Sequence, residues 1–139
     1  MKILFDTNVI LDVLLEREPF FKASSQVLGY AELNKIDGWI CGTTVTTIHY
    51  LLAKALTRQK AEEHLRSLFK IFHISTINSI VLEDALADNF KDYEDAVIYH
   101  SAVHANVAAI LTRNQKDFQQ SKLPVYSPIE FLKAIESLG

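Results

Sequence analysis

Three observations predict an α/β fold with a mostly parallel central sheet and helices on both faces. Short continuous apolar runs such as Ile3-Leu4-Phe5 and Ala108-Ala109-Ile110-Leu111 have the character of strands covered on both sides. Between such runs lie longer stretches whose apolar residues recur at helical spacing. The two kinds of segment alternate along 139 residues, a length that suits one domain.

The first strand, Ile3 to Phe5, stops at Asp6, and a short helix follows from Val9 to Leu15. Pro19 fits the first turn of a second helix, on which Phe20, Ala23, Val27, Tyr30, Ala31 and Leu33 form the expected buried stripe. Gly38 closes that region and Trp39-Ile40-Cys41 reads as the second strand. Thr43 to Thr47 is rich in β-branched residues and fits either a strand or a helix start. The recurrence of Ile48, Leu51, Leu52 and Ala55 favours a helix from about Val45 to Leu56. Ala61 to Lys70 is a further helix, and Phe72-His73-Ile74 is the third strand. Asn78 is placed to cap a helix reaching Leu86.

Lys91-Asp92-Tyr93-Glu94-Asp95 leads into a long helix from Ala96 to Val107. The strand Ala108 to Thr112 then opens into a polar turn, Arg113 to Asp117. A last strand, Leu123 to Tyr126, precedes Ser127-Pro128-Ile129-Glu130, a capping box with Pro at the first helical position, and the final helix runs to about Ser137. No repeat, low-complexity tract or linker interrupts the chain, so residues 1–139 read as a single domain.

Composition narrows the function classes. With 49% hydrophobic residues, four Gly and three Pro, the chain is neither disordered nor collagenous and can bury a sizeable core. Its single Cys, Cys41, excludes an intramolecular disulfide framework and a Cys-only zinc site, and an inert core thiol is expected there. Fourteen Lys and Arg against 17 Asp and Glu give a formal charge of −3, so no overall basic field draws in nucleic acid. The apolar stretch before Asp6 is too short for a signal peptide, and no run approaches a membrane span. A cytoplasmic protein without membrane association is expected.

The placement of the carboxylates is more informative than their number. Ligands of open parallel sheets bind beyond the carboxyl ends of the strands. Asp6 follows the first strand, Asp117 lies in the turn after the Ala108–Thr112 strand, and Asp92 and Asp95 stand at a helix start. Three separate segments can thus deliver acids to one rim. Such a cluster needs a compensating cation, and carboxylate oxygens are natural ligands of Mg²⁺ or Mn²⁺. Such an ion can activate water and stabilise charge on a phosphoryl group, which makes phosphodiester hydrolysis the natural chemistry. On spacing alone, helix capping and loop solvation are the better account of these acids.

Asp6-Thr7-Asn8-Val9-Ile10-Leu11-Asp12 after a short apolar strand resembles the opening of PIN domains, a family of metal-dependent ribonucleases. Asp92-Tyr93-Glu94-Asp95-Ala96 resembles that family's later acidic motif, and Leu111-Thr112-Arg113-Asn114-Gln115-Lys116-Asp117-Phe118 its closing strand and turn. The resemblance implies a Mg²⁺- or Mn²⁺-dependent endoribonuclease with Asp6, Asp95 and Asp117 as metal ligands and Asp92 as a supporting acid. Asn8, Thr112 and Asn114 would orient ligands or substrate. It further implies a toxin of a toxin–antitoxin pair, with RNA as substrate, a small antitoxin protein as partner and a homodimer formed through early helices. Arg113 and Lys116, flanking the rim, are the expected substrate-binding cations.

One position departs from that pattern. Thr47 stands where the resemblance implies an acid, and no Asp or Glu occurs between Gly38 and Lys60. A hydroxyl supplies no charge, so weaker metal affinity than in a four-acid relative is expected. Thr47 also motivates the alternative reading, a weakly active or inactive domain that binds RNA or protein. Elsewhere, His100 and His104 at i and i+4 lack the Glu of a zinc protease motif and read as a surface or partner-facing pair. Lys54, Arg58, Lys60, Arg66 and Lys70 read as solvated helix faces.

Overall fold

The computed structural model describes residues 1–138. Its strands are β1 (Lys2–Phe5), β2 (Asp37–Cys41), β3 (His73–Ser75), β4 (Ala109–Leu111) and β5 (Val125–Tyr126). Every pairing between them is parallel, and their order across the sheet is β3-β2-β1-β4-β5. The chain leaves β1 for β2 on one side but leaves β4 for β5 on the other. A crevice therefore opens beyond the carboxyl ends of β1 and β4, the topological switch point of such a sheet.

Alternation along the central strands divides the core. Ile3 and Phe5 of β1, with Ala109 and Leu111 of β4, face one layer. That layer is built from α1 (Thr7–Leu14), α2 (Phe21–Glu32), α3 (Gly42–Ala55), α4 (Arg58–Ile71) and α7 (Pro128–Leu138). Leu4 and Ile110 face the opposite layer, where Ile98, Tyr99 and Ala102 of α6 (Tyr93–His104) pack. The helix α5 (Ser79–Ala87) lies outside α6, joined to it through Val81, Ala85, Ala96 and Val97. Gly38 lets Phe72 close over β2, because a Cβ there would meet the Phe72 ring at 2.7 Å. Phe72 in turn packs edge-on against Phe5 with ring centroids 5.0 Å apart.

Local signals explain most element ends. Asn78 caps α5 through its side-chain oxygen on Val81 N at 3.0 Å. The Ser127–Glu130 box closes reciprocally before α7, at 3.0 and 3.2 Å. Other ends move from the sequence expectation. The α3 helix starts at Gly42, directly after β2, so the β-branched Thr43–Thr47 run is helical throughout. The α6 helix starts at Tyr93 rather than Ala96, because Asp92 is its N-cap and accepts from Asp95 N at 3.1 Å. In α2 the buried residues are Ser24, Val27, Leu28 and Ala31; Phe20 precedes the helix and Leu33 follows it, and both are exposed. Tyr50 and Leu51 of α3 are likewise exposed, with only Leu52 of that trio in the core.

Among the described residues, no helix is long and apolar enough to cross a membrane. Cys41 is buried, as expected. His100 and His104 each meet an acid of the same chain: their Nε2 atoms lie 2.8 Å from Asp88 and 3.2 Å from Asp84. Arg58 and Arg66 both flank Glu62 on the exposed face of α4.

Candidate active site

Asp6 sits at the hinge between β1 and α1, where its backbone N–H donates to Leu111 O at 2.8 Å and fixes it to β4. Its buried side chain caps α1. Oδ1 accepts from Thr7 N at 2.9 Å, while Oδ2 accepts from Thr112 Oγ1 at 2.8 Å and from Asn8 Nδ2 at 3.3 Å. A carboxylate offers about four lone-pair positions, so three such bonds orient Asp6 and leave capacity for one more ligand. Thr112, fully buried at the end of β4, also accepts from Asn114 N at 3.1 Å. Asn8 Oδ1 accepts from Arg113 N at 3.3 Å. One hydrogen-bonded unit thus ties the end of β1 to the turn after β4.

Two more acids arrive from other elements. Asp95, half-buried in the first turn of α6, is held by its backbone bond to the Asp92 cap. Asp117 lies in a 3₁₀ turn, Gln115–Phe118, whose Asp117 N–H donates to Asn114 O at 3.0 Å. Asp6, Glu94, Asp95, Asn114 and Asp117 line one open depression at the crevice between β1 and β4. An adjoining groove shares Asp95 and Asp117 and adds Asp92, Lys91, Lys116, Gln119 and Gln120. Asp6, Asp95 and Asp117 are therefore brought together, and Asp92 stands on their groove side.

The electrostatics show what the depression lacks. Burial pushes the Asp95 carboxyl up to about 7, and the charges of Asp6, Asp92, Asp117 and Glu94 add to it. Burial also raises Asp6, against the hydrogen bonds of Thr112 and Thr7, with Asp117 and Glu94 again contributing. Among the described residues no Lys or Arg forms an ion pair with Asp6, Glu94, Asp95 or Asp117. Arg113, an expected substrate cation, lines the same depression, as does Arg17, and its guanidinium binds the buried Asp12 of α1 through Nε at 2.7 Å and Nη2 at 3.3 Å. It also lies over the Phe20 ring, 4.2 Å from the centroid. Arg17 Nε stands 2.9 Å from the other side of the same carboxylate, an ion pair without hydrogen-bond alignment. The sequence reading assigned no role to Asp12 or Arg17. Asp12 carried a signal, since an acid within an apolar helical face requires a buried partner.

The donor chemistry fits a hard divalent cation: all candidate ligands are oxygens, and the carboxylates raise one another's pKa. Among the described residues, no three His, Cys, Asp or Glu side chains stand close enough together to hold a metal ion by themselves. That is compatible with Mg²⁺, which is held through one or two carboxylates and keeps several waters. Asp6, Asp95 and Asp117 are the carboxylates that would be available to it. Thr47 lies on α3, with its Oγ1 3.5 Å from Oε1 of Glu94.

Comparison with known proteins places these features in context. A family model described as PIN domain matches residues 2–116. Ribonuclease VapC1 of Aquifex aeolicus (strain VF5) is 30% identical over 142 aligned residues, covering 99% of this chain and 97% of that protein. A toxin–antitoxin complex from Klebsiella pneumoniae superposes with a TM-score of 0.68 at 25% identity, covering 91% of this chain and 97% of the other. VapBC-1 from nontypeable Haemophilus influenzae shares the fold with a TM-score of 0.69 at 16% identity, over 93% of this chain and 99% of that one.

Proposed function

The chain belongs to the PIN domain family, and on that premise we propose that it is a Mg²⁺- or Mn²⁺-dependent endoribonuclease, the toxin of a toxin–antitoxin pair. The observation that carries the reading is the meeting of Asp6, Asp95 and Asp117 in one depression, where burial and the neighbouring carboxylates push the Asp95 carboxyl up to about 7. Asp6, Asp95 and Asp117 would hold a divalent cation there, which would supply an activated water and offset charge on a phosphoryl oxygen. The chain's own residues orient the reaction. Thr7, Asn8 and Thr112 lock the Asp6 carboxylate in place. Asp92 caps α6 and fixes the bearing of Asp95. Asn114 carries Asp117 on its turn and lines the same wall.

Substrate binding falls to the adjoining groove. Lys116 and Lys91 stand beside Asp95 and Asp117, where they can neutralise the phosphates flanking the cut. The amides of Gln119 and Gln120 can hydrogen-bond base edges, as unpaired bases permit. Single-stranded RNA is the substrate class that suits an open, polar groove of this kind.

Several of the structural relatives are toxin–antitoxin complexes, which supports a small antitoxin partner for this chain, acting in the cytoplasm. The exposed Tyr50 and Leu51 on α3 and Phe69 on α4 favour a homodimer that covers part of these helices. Asp6→Asn is expected to abolish divalent-dependent cleavage of single-stranded RNA and to relieve growth arrest on expression. Cleavage at the wild-type rate by Asp6→Asn would overturn the reading. RNA binding without turnover at saturating Mn²⁺ would instead favour a binding domain, the alternative that Thr47 motivates.

A further inference from the structure

Thr47 takes a charge away from the α3 side of the rim, yet a carboxylate reaches that point from another helix. Glu94 lies in the first turn of α6 and lines the depression together with Asp6, Asp95 and Asp117. Its Oε1 is 3.5 Å from the Thr47 hydroxyl, a long contact that marks where the carboxylate ends. We propose that Glu94 stands in for the acid missing at position 47, as a fourth carboxylate lining the depression that would take the cation. This rests on the nuclease reading of the depression.

The geometry favours the substitution. Successive residues of a helix project about 100° apart, so Glu94 and Asp95 leave α6 on different bearings. Glu has one methylene more than Asp, and its Oε1 extends to 3.5 Å from the Thr47 hydroxyl on α3. Its position near the helix N-terminus is favourable for any acid, and this alone would make Glu94 a stabilising residue and nothing more. The two roles separate experimentally, because a helix-end charge affects stability whereas a site carboxylate affects ion binding. The weaker metal affinity expected from Thr47 is thereby offset within the chain.

The test is Mn²⁺ binding to the purified full chain, followed by electron paramagnetic resonance, with thermal melting as the check on folding. Glu94→Gln is expected to weaken Mn²⁺ binding about 10- to 100-fold. Adding Thr47→Asp to that variant should recover most of the loss, since it returns a charge to the same side. Glu83→Gln, on the exposed face of α5, should bind as the wild type does. Glu94→Gln with wild-type Mn²⁺ affinity, whatever its melting temperature, overturns the proposal. Running Asp6→Asn alongside separates the failures. If only Asp6→Asn loses the ion, Glu94 is rejected and the nuclease site stands; if neither does, the site reading falls and takes the assignment of Glu94 with it.

Discussion

Thr112 Oγ1 donates to Asp6 Oδ2 across 2.8 Å, joining residues 106 positions apart at the ends of two adjacent parallel strands. Both side chains are buried. The same hydroxyl accepts from Asn114 N, so one atom sets the Asp6 carboxylate and the start of the turn that carries Asp117. The acid at the end of β1 and the acid beyond β4 are thus positioned by a shared link, and disturbing it should move both.

Thr112→Val removes the hydroxyl with little change of shape. It leaves a buried carboxylate oxygen and a backbone N–H short of partners, which costs about 1–3 kcal/mol. Divalent-cation affinity should fall about 10- to 100-fold, the usual consequence of losing a group that orients a ligand. Thr112→Ser keeps the hydroxyl and should retain most of both. Calorimetric titration with Mn²⁺ and chemical denaturation of the two variants check this. Equal affinities in Val and Ser variants would remove Thr112 from the site.

Arg113 behaves differently from a substrate ligand because its guanidinium already holds Asp12, a fully buried carboxylate, and rests on Phe20. Arg113→Met would leave Asp12 with Arg17 alone. The expected loss is somewhat under the roughly 3–5 kcal/mol that breaking a buried pair costs, since one cation remains. Arg113→Lys should restore little, because an ammonium cannot reproduce the two-point contact. A denaturation midpoint unchanged in Arg113→Met would contradict this account.

These two residues mark how far the sequence could be read. The strand ends were legible from the unbroken apolar runs that stop at Asp6 and Thr112, and the parallel sheet follows from their alternation with helical stretches. The capping signals Asn78 and Ser127–Glu130 located two helix starts correctly. Asp92 is the same kind of signal, and giving it the N-cap role would have moved the start of α6 to Tyr93 and placed Glu94 and Asp95 in one turn. The Asp12 pairing of Arg113 is hidden for a different reason. Sequence distance conceals that residue 12 lies beneath residue 113, so a cation beside an acidic rim reads as free when it is paired below the surface. Phe20, Tyr50 and Leu51 follow helical apolar spacing yet stay exposed, because periodicity reports amphipathic faces and not which of them the chain itself covers.

The acids of the depression set a pH dependence of stability. Folding raises Asp95 from the ordinary aspartate value of 3.8 to about 7, and raises Asp6 as well, so in that window the folded protein binds more protons than the unfolded chain. Stability of the ion-free protein therefore falls as pH rises through the window. Asp88 and Glu130 are lowered, by backbone hydrogen bonds first, and act in the opposite sense only in more acidic solution. Thermal melts in chelator should show a melting temperature a few degrees higher near about pH 5 than near about pH 8. Asp95→Asn should flatten that slope, and millimolar Mg²⁺ should raise the melting temperature at the higher pH. A melting temperature that climbs across the window in chelator would refute the assignment.

Salt dependence separates the groove lysines from the arginine below the rim. Lys91 and Lys116 face the groove that shares Asp95 and Asp117, and both are exposed. Each lysine that neutralises an RNA phosphate should contribute about 0.7 to the slope of log affinity against log salt on a single strand. Replacing Lys91 and Lys116 together by Ala should therefore flatten the slope by about 1.4 and place the catalytic loss on KM rather than kcat. Arg113→Met should change the slope less than the lysine pair does, because its guanidinium is held on Asp12. Fluorescence anisotropy of a short single-stranded RNA over a salt series, in saturating Ca²⁺ to suppress cleavage, measures all three proteins. A slope that changes with Arg113 and not with the lysines would move the RNA path out of the groove and onto the α1 side of the depression.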